Sequence, residues 1–179
     1  MSHPAAELRP ARADDAPALA RFAALAFTDT YRGLDDDQDI ADYCAEHFTP
    51  AVMAAVIADP ACCTMLAWRG DALAGYAIVR DKPAPPCVTG RAVQLWRLYL
   101  DQAFIGQRLG ARLMQAAQAE ARRRGAETLW LGVYDRNVRA VDFYRRFGFV
   151  QVGTSEFLFG GRIYADPIYA AAVPKLATA

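Results

Sequence analysis

The stretch from Leu98 to Ala111 has the residue types and spacing to hold a phosphate. Leu98-Tyr99-Leu100 reads as the end of a strand, and Phe104-Ile105-Gly106-Gln107-Arg108-Leu109-Gly110-Ala111 opens a helix. A chain entering a helix points several unpaired N–H groups outward, and the helix dipole adds partial positive charge there. A pyrophosphate suits such a place. Gly106 and Gly110 lack Cβ atoms, so a ligand or a packing partner can approach the backbone closely. Arg108 and Arg112 add local positive charge. Glycines also open helices for purely local reasons, so this loop is one sign among several. It is not a Walker A loop, because no Gly-Lys-Ser/Thr follows. It also fits a dinucleotide fingerprint poorly: its glycines sit four apart in mid-chain, and the next acid at the right distance, Glu127, begins a strand instead of ending one.

Other chemistries find little material. The four cysteines, Cys44, Cys62, Cys63 and Cys87, form no CxxC pair. The adjacent two have poor geometry for bridging each other. With only His3 and His47 available, a zinc site would need an unusual ligand set, and no metal is expected. Free thiols in a reducing compartment are the simplest reading. Lys+Arg and Asp+Glu both number 20 in 179 residues, so no global field favours nucleic acid or an anionic membrane. Met1 to Pro10 lacks the basic and apolar regions of a secretory leader. No apolar run approaches the roughly 20 residues that a membrane helix needs. A soluble, cytoplasmic protein of one domain spanning residues 1–179 is expected.

The elements that must position the loop follow from periodicity. Glu7 to Ala11 suits a short strand, and Asp14 and Asp15 offer an N-cap to a helix through Leu19, Phe22, Ala26 and Phe27. The acidic run Asp35 to Asp39 precedes a second helix, and Thr49-Pro50 starts a third. Cys62 to Trp68 and Leu73 to Val79 flank an Arg69-Gly70-Asp71 turn as a hairpin. Three prolines make Asp81 to Arg91 a loop, and Val93 to Leu100 is the next strand. Leu109, Leu113, Ala117 and Ala121 set a helical stripe that Gly125 ends. Thr128 to Tyr134 reads as a strand buried on both faces. Asn137 caps a helix through Ala140, Tyr144 and Phe147, and two strands meet at Gly160-Gly161. This order predicts a mixed α/β sheet with a crossover helix between two parallel strands.

The second constellation is Leu129-Trp130-Leu131-Gly132-Val133-Tyr134, then Asn137, Ala140 and Phe143-Tyr144-Arg145-Arg146-Phe147-Gly148-Phe149. With the glycine loop, it resembles the GCN5-related N-acetyltransferases, whose pattern is a strand, a pyrophosphate loop and helix, then N-x-x-A-x-x-F/Y-Y-x-x-x-G-F. The likeness runs from about Leu95 to Val152. Leu95-Trp96-Arg97-Leu98-Tyr99 and Leu129 to Val133 are most similar to the PaiA-type polyamine (spermine/spermidine) acetyltransferases. One part departs. The family loop reads Q/R-x-x-G-x-G/A, and by register with Gly110 its polar first position is Ile105 and its first glycine is Arg108.

The resemblance implies an α/β fold with a largely antiparallel central sheet, flanked by helices and containing a splayed parallel strand pair. It implies acetyl-CoA as co-substrate, with pantetheine on the backbone of Leu98, Tyr99 and Leu100. The pyrophosphate would lie on the N–H groups of Gly106, Gln107, Arg108, Leu109, Gly110 and Ala111. Asn137 would contact pantetheine as well as cap its helix, and Tyr144 would be the acid that protonates the departing thiolate. Transfer would be direct, with Cys87 the cysteine to exclude as an acyl carrier. The acceptor would be a small primary amine or polyamine, its path lined by Tyr31 and Trp96 through cation–π contact. Asp166 is a candidate acceptor-side carboxylate, with Glu156, Asp29 and Asp35 as alternatives. A protein or peptide acceptor, and a non-catalytic acyl-CoA sensor, are the competing readings. Family members pair in several ways, so a homodimer is compatible with the likeness.

Overall fold

Seven strands form one sheet in the order β1-β2-β3-β4-β5-β7-β6. A computed structural model describes residues 6–175; Met1 to Ala5, including His3 and half of the Met1 to Pro10 stretch, lie outside the described residues. The strands are β1 (Glu7–Pro10), β2 (Cys62–Arg69), β3 (Ala72–Arg80), β4 (Ala92–Leu100), β5 (Thr128–Gly132), β6 (Val150–Phe159) and β7 (Arg162–Ala172). Helices α1 (Ala16–Tyr31), α2 (Asp37–His47) and α3 (Pro50–Ala58) come before β2. Helix α4 (Leu109–Arg123) crosses from β4 to β5, and α5 (Val138–Arg146) follows β5. The β4–β5 pair is parallel and the other neighbouring pairs are antiparallel.

Alternation along the strands divides the core. Val79 of β3, Val93 and Leu95 of β4, Leu129 and Leu131 of β5 and Tyr169 of β7 pack with Leu113 and Met114 of α4. The other face carries Tyr76 and Ile78, packed with Leu19 and Phe27 of α1 and Met53 of α3. Each fully buried large apolar side chain of this kind contributes about 1.5–3 kcal/mol.

Two features of β4 break its regularity, and both shape the space beside it. Ile78 pairs with Arg97 but Val79 pairs with Leu95, so Trp96 is an extra residue, a β-bulge. The bulge reverses the alternation: Leu95 faces α4, then Arg97 and Tyr99 turn to the α1 face. The second feature is the short ladder to β5, which joins only Ala92–Gln94 to Thr128–Trp130. Past Gln94 the β5-facing edge of β4 has no strand partner, and the two strands diverge.

The local start and stop signals act largely as their chemistry suggests. The Asp36 carboxylate accepts the N–H groups of Gln38 and Asp39, and Thr49 Oγ1 accepts that of Val52. Asp15 differs from expectation. Its carboxylate makes no cap on α1; it accepts two bonds from the Arg9 guanidinium at 2.7 and 2.8 Å and the Arg12 N–H at 2.7 Å. A charged partner outcompetes the helix N–H groups. Strand β5 also stops earlier than Tyr134, because the Val133 N–H bonds to the Pro167 carbonyl and the Tyr134 carbonyl closes a turn with the Asn137 N–H.

Candidate active site

The divergence of β4 from β5 opens two cavities that meet through the sheet. One, of about 550 Å³, lies between β4, the α4 loop and α5. The other, of about 560 Å³, lies on the opposite face, between the sheet, the α1–α2 corner and the β6–β7 hairpin. Tyr31, Trp96, Arg97, Tyr99 and Gly132 line both. A molecule in each cavity would therefore meet its neighbour where β4 and β5 part, between these five residues.

The first cavity gathers most of the residues singled out for the cofactor. Leu98, Tyr99, Leu100, Gly106, Arg108, Gly110, Ala111, Asn137 and Tyr144 line it, with Arg139 and Arg146 of α5 added. Gln107 and Leu109 are not among the lining residues. Leu109 is buried in the core, and the Gln107 side chain donates to the Ala103 carbonyl at 2.7 Å. The Gln107 N–H is also taken, by the Phe104 carbonyl.

The two glycines of the loop do different work. Gly106 adopts φ 83° with open space around it, so its requirement is conformational. Gly110 has no such angle; a Cβ there would come within 3.2 Å of Leu100 and 3.3 Å of Phe143, so its role is close packing of α4. The departure at Arg108 has a clear structural consequence. Arg108 is the N-cap of α4 with φ 62° and ψ 5°, the single non-glycine residue with positive φ among those described. The chain keeps a left-handed backbone where the family pattern has glycine, at a cost of roughly 1–2 kcal/mol. The loop shape survives, and a guanidinium is added to the cavity's wall.

Asn137 caps α5, its side-chain oxygen accepting the Ala140 N–H at 3.2 Å. Tyr144, about two turns on, packs against Phe143 and Phe149. Burial raises its hydroxyl above the ordinary tyrosine range, and nearby Tyr99 adds to the effect. Burial likewise raises Tyr31, and Tyr99, Tyr144 and Asp166 push the same way. These groups thus sit close enough to feel one another across the junction.

The second cavity holds Tyr31, Trp96 and Asp166 together with Asp35 and Glu156, whereas Asp29 lies outside both cavities in an ion pair with Arg32. Burial pushes the Asp166 carboxyl up to about 6, with Asp135 and Asp35 adding repulsion. The Tyr164 hydroxyl donates to Asp35 at 3.2 Å, and Tyr134 stacks edge-on against Tyr164. Trp96 is already engaged: the Arg80 guanidinium lies 3.8 Å from its ring centroid and that of Arg97 4.8 Å. Arg80, Arg97, Lys82, Trp130 and the two tyrosines Tyr134 and Tyr164 were not singled out from the sequence. Only Arg97 carries a readable signal, a charge inside the otherwise apolar run from Leu95 to Leu100. None of the four cysteines lines either cavity.

A model of the acetyltransferase (GNAT) family matches residues 22–149. The chain belongs to this family. An uncharacterized N-acetyltransferase from Mycobacterium tuberculosis is 32% identical over 147 residues, covering 82% of this chain and 90% of that protein. Another from Lactobacillus delbrueckii subsp. lactis is 24% identical, covering 82% and 85%. Among solved structures, the PaiA N-acetyltransferase from Thermoplasma acidophilum in complex with coenzyme A superposes with TM-score 0.78 at 20% identity, over 96% of this chain and 99% of that one. The structure of yncA from Salmonella typhimurium with its cofactor acetyl-CoA gives TM-score 0.65 at 17% identity, over 97% of each chain. The protein is an acyl-CoA-dependent acetyltransferase. Its fold carries the splayed parallel pair within a mostly antiparallel sheet, as the resemblance implied.

Proposed function

We propose that this acetyltransferase moves the acetyl group of acetyl-CoA directly onto a primary amine, in a ternary complex with one substrate in each cavity. The observation that carries this reading is the shared wall: Tyr31 of α1, Trp96, Arg97 and Tyr99 of β4 and Gly132 of β5 line both cavities, so two bound molecules can meet where β4 and β5 part.

Pantetheine carries amides, and the unpaired edge of β4 from Leu98 to Leu100 offers it the hydrogen bonds a missing strand would make. The pyrophosphate lies on the loop from Gly106 to Ala111, assisted by Arg108. Asn137 commits its oxygen to the helix, which leaves its amide nitrogen to donate to pantetheine. Backbone N–H near Leu98 polarises the thioester carbonyl as charge develops on its oxygen.

The amine reaches the thioester from the second cavity. An ammonium must first lose a proton, and Asp166, raised to about 6, is ionised at neutral pH yet more basic than an ordinary carboxylate. The free amine attacks the carbonyl carbon, the C–S bond breaks, and the sulfur leaves with the electron pair. Tyr144 supplies the proton that turns thiolate into thiol. Its raised value keeps it protonated through the neutral range. Against a thiol near 8.5 the transfer is uphill, so the hydroxyl acts as a hydrogen-bond donor that yields its proton as the thiolate forms. No cysteine lines either cavity, so a thioester-linked acyl-enzyme has no carrier there, which supports direct transfer.

The polyamine acceptor draws support from the three carboxylates Asp35, Glu156 and Asp166 in the second cavity. It draws none from Arg80, Lys82 and Arg97 in the same cavity.

The test is thiol release from acetyl-CoA with a panel of amines that includes spermidine, with the acetylated product identified by mass. Turnover that survives Cys87→Ala is expected. Tight acetyl-CoA binding with no thiol release for any amine would instead make the protein an acyl-CoA sensor.

A further inference from the structure

The second cavity is charged at both ends, with opposite signs. At the start of β4, Arg80 and Gln94 pair across the strands, and the Arg80 Nε–H donates to the Gln94 side-chain oxygen at 2.6 Å. Lys82 follows two residues on, and Arg97, which also lines the cavity, lies 4.8 Å from the Trp96 ring centroid. Among the described residues neither Arg80, Lys82 nor Arg97 makes an ion pair with a carboxylate.

Arg97 is the decisive group. It is 6% exposed, it lines the cavity, and its Nε–H has no hydrogen-bond partner. The one side-chain bond it makes is to the Tyr43 hydroxyl, at 3.2 Å. Trp130 repeats the pattern on β5: it is 3% exposed, lines the cavity, and leaves its indole N–H unpartnered. A buried unpaired cation and an orphaned donor are both costly. The unpartnered Tyr76 hydroxyl near Arg97 is not part of the lining; the two unsatisfied groups that line this end, the Arg97 Nε–H and the Trp130 indole N–H, are both donors. What would satisfy them is a compact oxyanion, for which guanidinium groups are the best-shaped partners.

The carboxylates gather at the other end. Trp130 pairs with Ala170 of β7, and Asp166 lies four residues further along that strand. At 3.3 Å per residue the two ends stand roughly 13 Å apart before side chains reach inward. A polycation would have to lie against three unpaired cations; a molecule with an amine at one end and an oxyanion at the other meets a complement at both.

We propose that the acceptor of this enzyme is an amine that also carries a carboxylate or phosphate, its anionic end held by Arg80, Arg97 and the Trp130 N–H. The inference rests on the acetyl-transfer reading for which substrate the cavity takes, and concerns only that cavity.

The experiment compares length-matched acceptors: a series of ω-aminocarboxylates, the corresponding diamines, and the corresponding aminoalkyl phosphates. Thiol release from acetyl-CoA gives kcat/KM for each. An oxyanion-bearing acceptor of suitable length is expected to exceed its diamine at least about tenfold, since a charged hydrogen bond is being made. Which of carboxylate and phosphate leads identifies the anion. Arg80→Gln, at a half-buried position, should narrow that ratio at least about tenfold through KM, and Arg97→Lys should narrow it less. Equal or better use of the diamines by the unaltered protein, or an unchanged ratio in Arg80→Gln, would overturn the proposal. Isothermal titration with the best aminocarboxylate separates the two readings. If no amine is acetylated yet the aminocarboxylate binds and Arg80→Gln abolishes that binding, acetyl transfer fails and the anion site stands. If no oxyanion-bearing amine binds or reacts, the anion site falls.

Discussion

The two cavities are built by different means. The first cavity, proposed for the cofactor, is mostly main chain and local sequence: a strand edge, a loop and a helix start between Leu98 and Ala111, closed by the helix from Val138 to Arg146. The second cavity, proposed for the acceptor, is mostly side chains drawn from distant segments: Asp35 after α1, Arg80 on β3, Arg97 on β4, Trp130 on β5 and Asp166 on β7. A backbone site should tolerate changes of side chain, and Arg108 keeps the left-handed conformation that the family pattern gives to glycine. A side-chain site does not, because each charge or donor is supplied once. One family can thus share a cofactor while its acceptors differ.

The contrast can be broken at three points. The largest effect is expected at the junction, in Tyr144→Phe. Loss of the proton donor should lower kcat by at least about a hundredfold. The acetyl-CoA Kd, measured by titration, should change little because the backbone contacts remain. A rate within threefold of normal would remove Tyr144 from the chemistry.

Asp166→Asn comes next, and reads the acceptor side. If Asp166 is the base, kcat/KM of the unaltered enzyme should rise with pH through about 6 as the carboxyl ionises. The variant should lose that limb and about tenfold or more of its rate at neutral pH. Stability should move the opposite way. A carboxyl whose folded value is raised stabilises the fold fully below its unfolded value, near 4, and loses that contribution as pH rises through 6. Asp166→Asn should therefore raise Tm at pH 7 to 8 and leave it nearly unchanged near pH 4. A fall in Tm at pH 7 would mean that the carboxylate is held by partners the described geometry lacks.

The smallest effect belongs to Arg108→Gly. Relief of the left-handed angle is opposed by glycine's greater freedom in the unfolded chain, so stability should rise by no more than about 1 kcal/mol. Chemical denaturation would measure it. If the loop is a backbone site, acetyl-CoA affinity should fall only severalfold, by the loss of one charge near the phosphates. Complete loss of binding would make the cofactor side depend on a side chain after all, and would erase the contrast.

Much of what lines the first cavity, proposed for the cofactor, was legible in the sequence because its signals are local. The glycine before the helix, the cap at Asn137 and the aromatic spacing from Phe143 to Phe149 each act within a few residues of one another. The same locality explains the helix starts at Asp36 and Thr49. Reading stopped where a partner lies far along the chain. Asp15 looks like a cap until Arg9 crosses from β1 to claim it. Gly110 looks like a ligand's clearance until Phe143 comes to pack on it.

The sequence by itself determined the order of elements, the parallel crossover and the loop and helix that suit acetyl-CoA. Those depend on periodicity, capping and backbone freedom, which are properties of neighbouring residues. Only the tertiary structure decided where the second cavity, proposed for the acceptor, lies and what charges meet in it. The bulge at Trp96 turns Arg97 to the α1 face, and four strands and a corner bring Arg80, Trp130, Asp35 and Asp166 around one space. Charge placed across a fold acts through space, and distance in space is what a linear sequence leaves unstated.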